Sequence, residues 1–240
     1  MSTSFSQASL ALAVVASAIG SIIAVTPPNK NTASAPATGD ALRSLKLTSL
    51  PAVAVAVAPI GLLALQTTRL ILAYQPPAPI PAGVLGWGAQ NGLNLRLVTW
   101  SPATVVPMAL LLGAGIPLRL VAYASLGKNF TFTLSKPDAL NTGGIYRYVQ
   151  HPSYTGIVLV AGCVLSLFFR TDGALACWVP PRWFPAVRQL ILALAPVYVS
   201  LMAYTMSTRI RDEEKMLRAE FGQDWEAWHA RTARLIPGIF

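Results

Sequence analysis

The stretch LPAVAVAVAPIGLLALQTTRLILAY, residues 50–74, carries a single charge, Arg69, in an otherwise apolar or small-residue run. A hydrocarbon core of about 30 Å is crossed by about 20 residues of helix at about 1.5 Å per residue, so this stretch is long enough to span a bilayer. Four further runs read the same way: Ala8–Val25, Leu97–Ala124, Ser153–Phe169 and Gln189–Met206. None alternates with period two, as barrel strands must, and lipid leaves no partner for an unpaired backbone group, so all five are expected to be helices. Prolines 59, 107, 117 and 196 are expected to kink them. The expectation is an all-α polytopic membrane protein with about five transmembrane helices and a cytosolic C-terminal helical segment. The composition agrees, with 54% apolar and only 11% charged residues among 240.

Residues 1–25 contain no Lys or Arg, whereas a signal peptide normally has a basic start. An uncleaved first span is therefore favoured, followed by a polar linker over Thr26–Ser49, rich in Pro, Ala, Thr and Asn.

A net charge of +9 raises nucleic acid as a partner, but the placement of the charge excludes it. Segments 26–49, 125–152 and the tail after 206 hold twelve basic residues, while the opposite connections hold four: Arg96, Arg170, Arg182 and Arg188. Because cytosolic loops carry the Lys/Arg excess, the N-terminus is expected outside or in a lumen, with the 125–152 loop and the tail together in the cytosol. Arg69 and Arg119 lie near span ends and read as snorkelling side chains. Cys163 and Cys177 give no zinc or disulfide framework, and neither His151 nor His229 has a metal-ligand pattern around it, so no metal is expected.

Two polar segments remain. In GGIYRYVQHPSYTG, Gly143 to Gly156, Pro152 suits the first position of a helix with His151 at its cap. In the tail, Ile210, Leu217 and Phe221 keep a helical rhythm up to Gly222, and Arg209 and Glu213 are four apart on one face. Taken alone, the first is a capped helix start with interfacial aromatics and the second a solvated charged helix, with Trp225 and Trp228 in a short interfacial element.

Taken together, LNTGGIYRYVQHPSYTG and RIRDEEKMLRAEFGQDWEAW followed by RLIPG resemble the isoprenylcysteine carboxyl methyltransferase family and the related phospholipid methyltransferases. The resemblance covers roughly the last 115 residues. It implies a division into 1–125, N-terminal helices and linker, and 126–240, a methyltransferase core. It implies S-adenosylmethionine as cofactor, contacted by Asp138, Ala139, Leu140, Asn141, Tyr146, His151, Pro152, Ser153, Tyr154 and Glu213. It implies further that Arg209 faces the substrate and that Arg209 and Glu213 carry the chemistry. The implied reaction is O-methylation of the C-terminal carboxylate of a prenylated cysteine, on a prenylated protein or a small prenylcysteine, at the cytosolic face of the endoplasmic reticulum membrane. A carboxylate is already ionised at pH 7, so no general base is needed. The sequence departs from the family pattern at Gln150, where an arginine is expected, and at Trp225 and Trp228, which replace tyrosines. N-methylation of a phospholipid amine, and a reductase-like or non-catalytic membrane module, stay open as alternatives.

Overall fold

The computed structural model describes residues 4–29, 50–130 and 136–238. Six principal helices order the chain: α1 (Phe5–Val25), α2 (Leu50–Ala73), α3 (Pro102–Leu110), α4 (Ile116–Leu126), α5 (Pro152–Phe168) and α6 (Phe184–His229). No strand occurs among the described residues; one isolated parallel bridge joins Val149 to Ala233.

The helix starts are written locally. Ser4 caps α1 in a capping box with Gln7, Ser101 caps α3 with Pro102 behind it, and Pro152 opens α5 where its missing N–H costs nothing. Between α3 and α4 the chain makes a wider π-type turn over Leu111–Gly115, just before Pro117. A proline removes one donor and its ring crowds the preceding turn, and a locally widened helix relieves both. The helices run on through Pro59 and Pro196. The break in α6 falls instead at Gly222, whose φ of +51° is open to glycine at little cost.

Among the described residues, four helical stretches are long and apolar enough to cross a membrane: Phe5–Val25, Val53–Ala73, Leu95–Asn129 and Phe184–His229. The fifth expected span forms α5, but its 17 residues reach only about 26 Å at about 1.5 Å each. Gly156, Val160, Cys163, Val164 and Leu167 are buried at helical spacing along one face of it, while Val158 and Leu165 are exposed. That face packs on α3, α4 and the turn between them, while α1 packs mainly on α2.

Two glycines set the α4–α5 approach. A Cβ on Gly156 would lie 2.9 Å from Arg119 Cγ and 3.0 Å from both Arg119 N and Gly115 O. One on Gly115 would meet Leu159 Cβ and Val160 N at 3.2 Å. Small residues let two helix backbones come together where lipid supplies no hydrophobic drive for association.

Along α6, by contrast, no residue from Pro185 to Glu213 is buried. The end of α1, the start of α2, the end of α4, the start of α5 and the middle of α6 meet at one end of the bundle, where they surround one pocket.

Candidate active site

At that end the tail is fastened to the loop before α5. Gln150 N donates to Ala233 O (2.8 Å), His151 N to Arg234 O (2.9 Å), and Ala233 N returns a bond to Tyr148 O (3.2 Å). The Gln150 side chain, 3% exposed, adds to this. Its Nε2 reaches Thr232 O and Oγ1 at 2.9 Å and His229 O at 3.3 Å, and its Oε1 meets His229 Nδ1 at 2.9 Å. The residue that replaces the family arginine therefore satisfies orphan carbonyls at a helix end. The substituted tryptophans are fixed as well. Trp228 Nε1 donates to Tyr146 O at 2.8 Å, and Trp225 stacks on His229 with centroids 4.4 Å apart.

The wall supplied by α6 is a stripe at three- and four-residue spacing: Met202, Thr205, Met206, Arg209, Glu213, Met216 and Leu217. Facing it are the loop over 137–141, Tyr146, the first turn of α5, and Val25, Val53, Ala56 and Val57 from α1 and α2. The cavity between them is about 380 Å³, within the range of small-molecule sites. Its floor is apolar and its upper wall charged.

The polar groups in the upper wall form one network. Tyr154 Oη donates to Glu213 Oε2 at 2.9 Å, and the Arg209 guanidinium hydrogen-bonds the same phenol. His151, 3% exposed, stands between two carboxylates, with Nδ1 3.8 Å from Glu213 Oε1 and Nε2 3.4 Å from Glu214 Oε1. Glu214 is gripped by both arms of Arg234 at 2.9 Å. Burial, with the Glu213 charge added, pushes the Tyr146 phenol well above its ordinary value, so it stays a neutral donor.

Of the residues the resemblance points to, Ala139, Leu140, Asn141, Tyr146, His151, Pro152, Ser153, Tyr154, Arg209 and Glu213 all line this cavity. Asp138 does not: its exposed carboxylate pairs outward with Lys128 Nζ at 2.8 Å. The Asn141 side chain is engaged in shaping the loop, donating to Ser125 O (2.9 Å) and accepting from Gly143 N (3.1 Å).

Arg119 is the main correction. Rather than snorkelling, it is 6% exposed and lines the cavity. Its Nε donates to Ala24 O at 2.9 Å and its other nitrogens to Ser153 Oγ and Tyr123 Oη. The guanidinium also sits 4.8 Å from the Tyr123 ring centroid and 5.7 Å from that of Phe130. An ionisable residue inside an apolar run is the signal that could have found it. The first half of the chain thus contributes more than hydropathy.

The comparison with known families falls on the part of the chain that carries these features. Residues 107–180 match the isoprenylcysteine carboxyl methyltransferase (ICMT) family. No curated protein and no solved structure matches the chain. The matched segment runs from α3 through α4, the loop before α5 and α5 itself to the connection before α6, so it includes Arg119 and His151–Gly156 and stops short of Arg209 and Glu213. That family is named for carboxyl methylation of isoprenylcysteine, and the match covers 74 of the chain's 240 residues.

The residues present fit S-adenosylmethionine, the cofactor that the resemblance implies. An adenosyl sulfonium amino acid brings one carboxylate, one ammonium and one sulfonium. The cavity wall offers two arginines and one glutamate, with aromatic rings from Tyr146, Tyr154 and Trp228. His151 adds a buried imidazole whose ring nitrogens face the Glu213 and Glu214 carboxylates without a well-directed hydrogen bond among the described residues.

Proposed function

We propose that the cavity between α5 and α6 is the site where the C-terminal carboxylate of a prenylated cysteine is methylated, and that it opens at the cytosolic face of the membrane. One observation carries the reading. Two polar segments more than fifty residues apart in sequence converge on one cavity at the border of an apolar bundle, with Arg209, Tyr154 and Glu213 bonded into a unit.

S-adenosylmethionine, when bound, supplies a methyl group made electrophilic by its sulfonium. Glu213 offers that positive centre a carboxylate, and the Tyr154 phenol fixes the direction in which the carboxylate points. Tyr146 and Trp228 provide faces for the adenine. Arg209 receives the substrate carboxylate in its planar fork. Since Arg209 also bonds Tyr154, its grip is shared, which orients the nucleophile without fully quenching it. The carboxylate enters ionised and leaves as an ester, so no proton has to move, and the wall needs no dyad or triad. Rate enhancement then comes from alignment and from exclusion of water by Met202, Met206 and Met216. The apolar floor formed by Val25, Val53, Ala56 and Val57 continues into the lipid-facing region, where a prenyl chain remains solvated by lipid while its cysteine reaches the polar wall.

The twelve-to-four distribution of basic residues supports the cytosolic orientation. The functional unit is assigned to 126–240, completed by Arg119 and the pocket residues of α1 and α2. An endoplasmic reticulum membrane is where prenylated chains would be met.

The test uses membranes containing the full chain, labelled S-adenosylmethionine and a farnesylated cysteine analogue. Label should enter the analogue and leave as methanol in mild alkali, as an ester requires. Alkali-stable label would favour N-methylation of an amine, for which His151 is the imidazole in the cavity wall. No transfer to the analogue would sink the reading.

A further inference from the structure

We propose that Arg119 and Ser153 together form the binding point for the amino-acid carboxylate of the methyl donor. The inference rests on the reading of the cavity as a methyl-donor site and deepens it.

Charge divides the cavity. The ionic side chains of the cavity wall are Arg119, Arg209 and Glu213. The two ligands together bring two carboxylates, one ammonium and one sulfonium. Glu213 answers the positive groups, leaving one arginine for each carboxylate. Arg209 sits on α6 and is only half-buried, in line with the Met202–Met206 stretch that borders the lipid. Arg119 is deep, 6% exposed, and immobilised from three helices by Ala24 O, Tyr123 Oη and Ser153 Oγ. A rigid, buried cation is a poor neighbour for a carboxylate that must act as nucleophile, because stabilising the anion raises the barrier to its attack. For a carboxylate that only anchors, the same cation is well suited.

Ser153 supplies the direction. Its Oγ accepts from Arg119, so its own O–H cannot point back at the guanidinium. Among the described residues the Ser153 hydroxyl proton has no acceptor, and neither has its backbone N–H, which lies in the first turn of α5. Both Ser153 and Arg119 line the cavity. Two donors beside a fixed cation, at the positive end of a helix, form a carboxylate seat. Next to it His151, which precedes the helix and lines the cavity, is 3% exposed, and its ring nitrogens make no well-directed hydrogen bond among the described residues, lying 3.8 and 3.4 Å from carboxylate oxygens of Glu213 and Glu214.

The test compares binding of S-adenosylmethionine with that of its decarboxylated form, which keeps the sulfonium and the amine and lacks only the carboxylate. Calorimetry on the detergent-solubilised full chain, without acceptor substrate, reads affinity and not activity. Wild-type protein should prefer the carboxylated compound by about ten- to a hundredfold, the range for a hydrogen bond to a charged group. Ser153→Ala should lose about tenfold toward that compound and stay within about twofold toward the decarboxylated one. Arg119→Lys should show the same selective loss because its fork is gone. If Arg119→Lys fails to fold, Ser153→Ala and the wild-type preference carry the test. Equal loss toward both compounds would reduce Arg119 and Ser153 to a structural clamp and overturn the proposal. Equal wild-type affinity for both would overturn the carboxylate seat alone, whereas a wild-type protein that binds neither would remove the methyl-donor reading along with it.

Discussion

Replacing Gly156 by alanine tests the contact on which the site is built. The added Cβ would stand 2.9 Å from Arg119 Cγ and 3.0 Å from Arg119 N and from Gly115 O. Two of these three atoms are backbone, so no rotamer change clears them. Ordinary carbon contacts begin near 3.5 Å, so α4 and α5 must separate by roughly 0.6 Å at this point. Overpacking of that kind costs about 1–3 kcal/mol. At about 2–4 °C per kcal/mol for a chain of this size, the melting temperature should fall by roughly 2–12 °C. Ser153 and Tyr154 lie one turn away, so affinity for S-adenosylmethionine should fall with it. The assay is a thermal shift in detergent beside a binding isotherm, run on a graded series. Gly115→Ala meets Leu159 Cβ and Val160 N at 3.2 Å and should be milder. Gly162→Ala, on the same α5 helix, meets nothing within 4 Å and should be neutral, or stabilising by up to about 1 kcal/mol through helix propensity. If Gly156→Ala melts with the wild type, or no lower than Gly162→Ala, the close crossing and everything derived from it are wrong.

Other expectations follow from single contacts. Gln150→Ala strands the carbonyls of His229 and Thr232, so the tail should become more sensitive to limited proteolysis, with a loss of about 1–3 kcal/mol; unchanged cleavage would mean the tail is held elsewhere. Arg209→Lys should cost up to about a hundredfold in turnover while leaving cofactor affinity nearly unchanged, whereas Glu213→Ala should weaken cofactor binding itself; equal effects would make the pair a mere helix brace. The Asp172 carboxyl is held below its ordinary range by hydrogen bonds from Arg170 despite some burial. Its folded value lies below its unfolded one, so the stability it adds is present above the unfolded value and is lost as pH falls through the folded one. The pair is part-exposed and the effect should be small. Asp172→Asn should flatten the acid side of a stability profile slightly, and an identical profile would show the pair contributes nothing.

Much of the bundle was legible because hydropathy and end signals are local. The apolar runs, Pro152 at a helix start and the break at Gly222 all depend on neighbours within a few residues. The expected span over Ser153–Phe169 forms as α5, a shorter apolar helix of 17 residues that ends at Phe168. What could not be read were partners far away in sequence. Arg119 meets a carbonyl 95 positions earlier, and Gln150 meets the tail 79 and 82 positions later. From sequence, the first looks like a span-end cation and the second like a missing charge. Asp138 lies within the matched segment, yet its ion pair with Lys128 holds it away from the cavity. The Arg209 and Glu213 spacing was legible, since one helical turn fixes it.

The bare membrane half of α6 gives the site a mechanical link to the bilayer. On the N-terminal side of its break at Gly222, α6 is continuous helix, so the exposed stretch around Val197 and the Arg209–Glu213 pair share one axis, separated by about 18 Å at about 1.5 Å per residue. Among the described residues, none from Pro185 to Glu213 is buried, so lateral packing on that stretch is sparse. A change of tilt of about 3° over that length swings Arg209 by about 1 Å, the scale at which a misplaced group loses about a hundredfold in rate. Helices adjust tilt to hydrocarbon thickness, so acyl-chain length becomes a control on turnover, exerted at a distance from any lipid-binding pocket. Reconstitution in bilayers of graded thickness should show it as a peaked dependence of rate on chain length, and a flat dependence would mean that the helix is braced against tilting.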